Sequence, residues 1–161
     1  MNKLLIGTIA GLGLIFALGV GWSMQAQDAA VQTSLKVYKS PTCGCCDDWI
    51  KHMQRVGYDI EAVNLSDMSS VKSEQGIAPN LQSCHTAVST EGYFFEGHIP
   101  GKVITAFLKN PPADAEGLAA PGMPMGSPGM EMGKFTPYDV LLVDSDGSTS
   151  VYKRIDSPDY E

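Results

Sequence analysis

The sequence predicts an α/β fold, a βαβαββα domain followed by a C-terminal β-hairpin. Three observations carry that prediction: short alternating apolar runs with strand character, two apolar patterns at helical spacing, and a length of 161 residues, which suits one domain with a modest core. The first strand is read in "LKVYKS" from Leu35, where apolar and polar residues alternate until Pro41 ends the run. The first helix follows at once: Cys46, Trp49 or Ile50, Met53 and Val56 recur at helical spacing, Asp47 and Asp48 suit the first turn, and Gly57 ends it. "YDIEAVNL" reads as the second strand, and "SDMSSVKSEQGI" as a short helix capped by Ser66. "SCHTAVS" and "GYFFEGH" form a predicted hairpin around "TEG". "GKVITAFLKN" reads as a helix with Val103, Ile104, Phe107 and Leu108 on one side, stopped by Pro111 and Pro112.

These elements make a domain over residues 35–110. Residues 111–137 are rich in Pro and Gly and lack periodicity, a stretch too long for an ordinary connection and so either functional or disordered. Residues 138–155, "YDVLLVDSDGSTSVYKRI", read as two strands around a Ser-Asp-Gly turn, a hairpin packed on the same domain. Residues 1–26 carry Lys3 and then an unbroken apolar run from Leu4 to Val20, the pattern of a secretory signal. The run is near the short limit of a membrane span of ~20 residues, and "SMQA" is an imperfect cleavage site, so an uncleaved N-terminal anchor stays open. In either case the rest of the chain is expected to be exported, and it meets the membrane only through this segment if that is uncleaved. The net charge of −7 argues against nucleic acid and favours a small cationic ligand.

Three of the four cysteines fall within "TCGCC": Cys43, Cys45 and Cys46. Thiols at a helix N-terminus are stabilised as thiolates by the orphan N–H groups and the macrodipole. Three readings are open. In an oxidising compartment, paired cysteines form structural disulfides. The C-x-x-C pair Cys43 and Cys46 suits a periplasmic thiol-disulfide oxidoreductase acting on protein substrates, but a third thiol at Cys45 would scramble such a pair. Three close thiolates can also surround a soft metal ion or bridge several, and the spacing favours this reading; zinc is disfavoured by the adjacent Cys45 and Cys46. The element order, with a cysteine turn opening the first helix, resembles the thioredoxin fold. That resemblance implies that the segment before the third strand faces the turn, which would bring Cys84 to the cluster as a fourth sulfur.

Met123, Met125, Met130 and Met132 form two M-x-M pairs in the loop, at a spacing that fits no helix. Thioethers favour Cu(I) over zinc or iron, so with the cysteines they point to copper, with silver chemically similar; the competing reading is an incidental linker composition. His52 is expected to face solvent on the first helix. His85 follows Cys84, and alternation along a strand would send the two to opposite faces. His98, in "EGHIPG", lies at a loop end where it can reach a metal. No phosphate-binding loop and no Ser/His/Asp arrangement emerges, so nucleophilic hydrolysis is unsupported.

"PTCGCC", "SCHTA", "EGHIPG" and "GLAAPGMPMGSPGME" occur in the same order as in the CopG-type periplasmic copper-resistance proteins, and the chain resembles that family from about Leu35 to Tyr152. The resemblance implies a thioredoxin-like fold, a periplasmic location, and copper handling with Cys43, Cys45, Cys46 and Cys84 as ligands of a thiolate cluster holding one or several Cu(I) ions. It implies sequestration of Cu(I) for copper resistance or homeostasis, with redox interconversion of copper as an added activity, and exchange of copper with other periplasmic copper-resistance proteins. His98 and the four loop methionines match family motifs as further metal ligands. Whether the protein is an enzyme is left open.

Overall fold

The computed structural model describes residues 33–159; the expected signal or anchor segment, residues 1–26, lies outside them. Among the described residues no helix is long and apolar enough to cross a membrane. The chain runs β1 (Ser34–Lys39), α1 (Gly44–Arg55), β2 (Asp59–Asn64), α2 (Ser69–Glu74), a 3₁₀ turn (Pro79–Leu81), β3 (His85–Ser89), β4 (Phe94–Glu96), α3 (Gly101–Lys109), β5 (Ala115–Ala119), β6 (Tyr138–Asp144) and β7 (Thr149–Ile155). From β1 to α3 the order is the expected βαβαββα, and the class is α/β.

All seven strands join one sheet in the order β2-β1-β3-β4-β5-β6-β7. Helix α1 carries the chain from β1 to its parallel partner β2, and α3 carries it from β4 to the parallel β5; the remaining pairings are antiparallel. Because side chains alternate along a strand, the sheet builds a core on each face. On one, Leu35 and Val37 of β1, Phe95 and Leu118 pack with Trp49 and Met53 of α1 and Ile104 and Phe107 of α3. On the other, the neighbouring residues Phe94 and Ala119 pack with Ile77, Leu81 and Val143.

Strand β5 departs from the expected irregular stretch 111–137. Its sequence, Ala-Glu-Gly-Leu-Ala, holds no β-branched or aromatic residue, so the strand signal is missing. Tertiary pairing makes it a strand, and Gly117 is required because a Cβ there would overlap the Phe94 carbonyl of the neighbouring strand. Through β5 the C-terminal hairpin continues the sheet.

Two smaller expectations also change. Helix α2 begins after Ser66, with the Asp67 carboxylate accepting the Ser69 N–H at 2.8 Å in its place. His52 is buried, and its Nε2 accepts the backbone N–H of Gly101 at 3.0 Å, satisfying an orphan donor at the start of α3.

Candidate metal centre

The cysteine turn sits at the C-terminal end of β1. Cys43 caps α1 with extended backbone and donates its N–H to the Ser40 carbonyl at 3.1 Å, which folds the chain back so that Cys45 and Cys46 enter the first helical turn. Gly44 takes an ordinary helical φ, so the convergence of the thiols does not rest on its backbone freedom. Cys84 lies in the bend just before β3, and the antiparallel pairing of β3 with β1 sets Lys39 opposite His85, beside this turn.

The four sulfurs lie within 4.8 Å of one another. Cys43 and Cys46 are joined in a disulfide, Cα atoms 5.3 Å apart, while Cys45 and Cys84 are free. Cys45 Sγ is 3.5 Å from Cys43 Sγ, and Cys84 Sγ is 3.5 Å from Cys46 Sγ, so each sulfur of the disulfide has a thiol beside it. Cys46 is fully buried; the other three are partly exposed.

Two histidines complete a second group with Cys84. His98 Nε2 is 2.9 Å from Cys84 Sγ, and its Nδ1 lies 2.7 Å from the Pro128 carbonyl. A carbonyl only accepts, so Nδ1 carries the proton and Nε2 turns its lone pair to the thiol. His85 Nδ1 is 3.6 Å from Cys84 Sγ, its ring tilted against Trp49 with centroids 4.3 Å apart. The alternation expected to separate His85 from Cys84 does not apply, because β3 starts only at His85.

Burial keeps this group neutral. It pushes the Cys84 thiol up to about 12, with the neighbouring Cys45 adding to the rise. It also holds His85 well below the usual imidazole range, where the positive charge of His98 and Lys72 would add to the cost of protonation. His98 is lowered by burial against the opposing pull of the Pro128 carbonyl. Cys84 and His98 therefore form a neutral thiol–imidazole pair. A metal taking Cys84 must displace a proton.

The two histidines set an acid limit on stability. An unfolded histidine titrates near ~6.5, so a folded one of lower pKa contributes fully above that pH, and its contribution is lost as pH falls through 6.5 toward the folded value. The melting temperature is expected to drop steadily from pH 6.5 to pH 5, and less steeply in His85→Gln; equal slopes would remove His85 from this account.

The methionine loop packs on the site. Gly126, Ser127 and Pro128 are buried, and internal hydrogen bonds fold the segment: Gly126 N–H to Met130 O at 2.8 Å, Met130 N–H to Ser127 O at 2.8 Å, and Thr136 N–H to Met125 O at 3.0 Å. Gly129, at φ +82°, approaches α1 so closely that a Cβ would sit 2.5 Å from the Cys45 carbonyl oxygen. The loop thus straps the cysteine turn through its backbone. Of its methionines, Met123, Met125 and Met132 are exposed and Met130 is half-buried.

Residues 81–130, which include Cys84, His98 and most of the strap, match the family described as "Protein of unknown function, DUF411". No curated protein matches the chain. Two solved structures do. "Copper resistance protein copG- Form 1" is 41% identical, with 77% of this chain and 98% of that chain covered and a TM-score of 0.72. "Copper resistance protein copG- Form 2" is 40% identical over the same shares, with a TM-score of 0.73. An agreement of this size in both sequence and fold, spanning nearly the whole of the CopG chains, places this protein in the CopG family of copper resistance proteins.

Proposed function

We propose that the protein is an exported, periplasmic copper-binding protein that sequesters Cu(I) for copper resistance or homeostasis. The observation that carries this reading is the meeting of four cysteine sulfurs within 4.8 Å, with a histidine lone pair turned to one of them. Sulfur is a soft donor and suits Cu(I). Thiolates bridge metal ions, so reduced Cys43, Cys45, Cys46 and Cys84 would hold one Cu(I) or a cluster of several. His98 would add a nitrogen ligand, its orientation fixed by the Pro128 carbonyl as outer partners fix metal-bound histidines. The exposed thioethers of Met123, Met125 and Met132, with half-buried Met130, would pass Cu(I) between the cluster and other periplasmic copper-resistance proteins. The names of the CopG structures support a copper role.

The Cys43–Cys46 disulfide supports redox interconversion as part of the same function. Two thiolates giving one electron each would reduce two Cu(II) ions to Cu(I) and form this disulfide. It equally favours a second reading, a periplasmic thiol-disulfide oxidoreductase acting through Cys43 and Cys46 without metal.

Anaerobic titration of the reduced protein with Cu(I), under competition from a strong Cu(I) chelator, tests the first reading, with bound copper counted by elemental analysis. Retention of one or more ions per chain, lost when all four cysteines become serine, is the expected result. Complete surrender of copper to the chelator would overturn it in favour of disulfide exchange.

A further inference from the structure

Behind the site lies a buried ion pair that metal ligation does not use. Glu96, at the end of β4, is fully buried, and Lys72 of α2 nearly so. Glu96 Oε1 accepts from Lys72 Nζ and from the backbone N–H of Ser83, the latter at 2.5 Å. Oε2 accepts from the Thr86 hydroxyl at 2.6 Å, and Lys72 Nζ also donates to that hydroxyl at 3.2 Å. One carboxylate therefore grips Ser83 and Thr86, the residues on either side of Cys84 and His85. The same grip reaches the strap, because the Ser83 hydroxyl donates to the Gly122 carbonyl.

A buried ion pair is a poor source of stability. Desolvating each ion costs several kcal/mol, and apolar replacements of similar volume are often equally stable. What this pair does supply is geometry. Cys84 occupies a bend outside any strand, so no ladder hydrogen bond fixes its position; the bend is tied to the strap through Ser83 and Gln82, and the Ser83 N–H and Thr86 hydroxyl bonds to Glu96 are its buried anchors to the sheet.

We propose that Glu96, charge-balanced by Lys72, is the positioning residue for Cys84, setting its sulfur against Cys46 and His98 so that the four sulfurs can share metal. This rests on the copper reading for its purpose but not for its geometry. Positioning partners of this kind change metal affinity by about 10–100-fold when removed.

The test uses two double variants of the full chain, Lys72→Met with Glu96→Leu, which deletes the grip, and Lys72→Met with Glu96→Gln, which deletes the charges but keeps a carbonyl for the Ser83 N–H. Two quantities are read: Cu(I) affinity of the reduced protein by chelator competition, and the ratio of Cys84 to Cys45 alkylation in the metal-free disulfide form by peptide mass spectrometry. The first variant is expected to fold but to melt below the parent, because the Ser83 N–H and the Thr86 hydroxyl lose their acceptor, to raise the alkylation ratio severalfold, and to lose about 10–100-fold in Cu(I) affinity, with the second restoring most of both. A folded Leu variant with the parent ratio and the parent affinity would overturn the proposal. If that variant does not fold, Thr86→Val, which removes one arm of the grip at nearly constant shape, is held to the same two criteria. A parent protein that binds no Cu(I) would sink the copper reading, while the alkylation ratio still decides whether Glu96 positions Cys84.

Discussion

Cys45→Ser is expected to weaken Cu(I) retention by the reduced protein at least about 100-fold, the upper end of what losing a mere outer-shell partner costs, while leaving exchange of the Cys43–Cys46 disulfide intact. The variant separates the two functional readings because Cys45 belongs to only one of them. Its sulfur lies 3.5 Å from Cys43 and within 4.8 Å of the other two, where a shared metal would need it. Serine keeps the size but replaces a soft donor with a hard oxygen that does not hold Cu(I). A disulfide oxidoreductase needs Cys43 and Cys46 alone, and removing a thiol that attacks mixed disulfides would leave exchange equal or cleaner. Chelator competition and a disulfide-exchange assay on the same preparation read both. Unchanged copper retention would take Cys45 out of the site, and lost exchange with unchanged copper would reverse the assignment.

Gly129→Ala is expected to destabilise the protein by about 2–4 kcal/mol, from left-handed backbone strain together with overpacking. Alanine at φ +82° is strained in any surroundings. Here its methyl would also lie 2.5 Å from the Cys45 carbonyl oxygen and 2.8 Å from the Trp49 backbone nitrogen, main-chain atoms of α1 that cannot rotate away. The strap must lift, and the Pro128 carbonyl that orients His98 lifts with it. Gly147→Ala is the control: φ is +80° but nothing lies within 4 Å, so only the backbone term of about 1 kcal/mol remains. Thermal melts of the two variants against the parent measure the difference. Equal losses would show that the strap does not press on the cysteine turn.

Much of this was legible in the sequence because the physical signals were local. Alternation in "LKVYKS", the apolar run in "YDVLLV" and helical spacing around Trp49 and Phe107 are each patterns a few residues long. The signals failed where tertiary partners decide. Ala115–Ala119 becomes a strand only because β4 and β6 lie on either side, and His52 is buried by α3, whose approach the α1 sequence does not announce. Within the site, spacing put Cys43, Cys45 and Cys46 together, while Cys84 joined them through a likeness of fold. Clustering of Met123, Met125, Met130 and Met132 was visible, but the buried Gly126–Pro128 segment beneath them was not, since its Ser, Pro and Gly residues read as ordinary linker. Lys72 and Glu96 stand 24 residues apart and look like any two surface charges.

The tilted contact of Trp49 with His85 gives the protein an optical reporter of its own state. The indole lies one imidazole away from Cys84, and its Nε1–H is anchored to the Ile99 carbonyl at 2.9 Å, so it holds a fixed pose beside the sulfurs. Sulfur oxidation or a heavy ion bound at this distance would quench indole emission, and under the copper reading the fluorescence of Trp49 would follow filling and emptying of the site in real time, with no added dye. The other tryptophan, Trp22, is in the N-terminal segment, and Trp22→Phe would leave Trp49 as the sole tryptophan emitter.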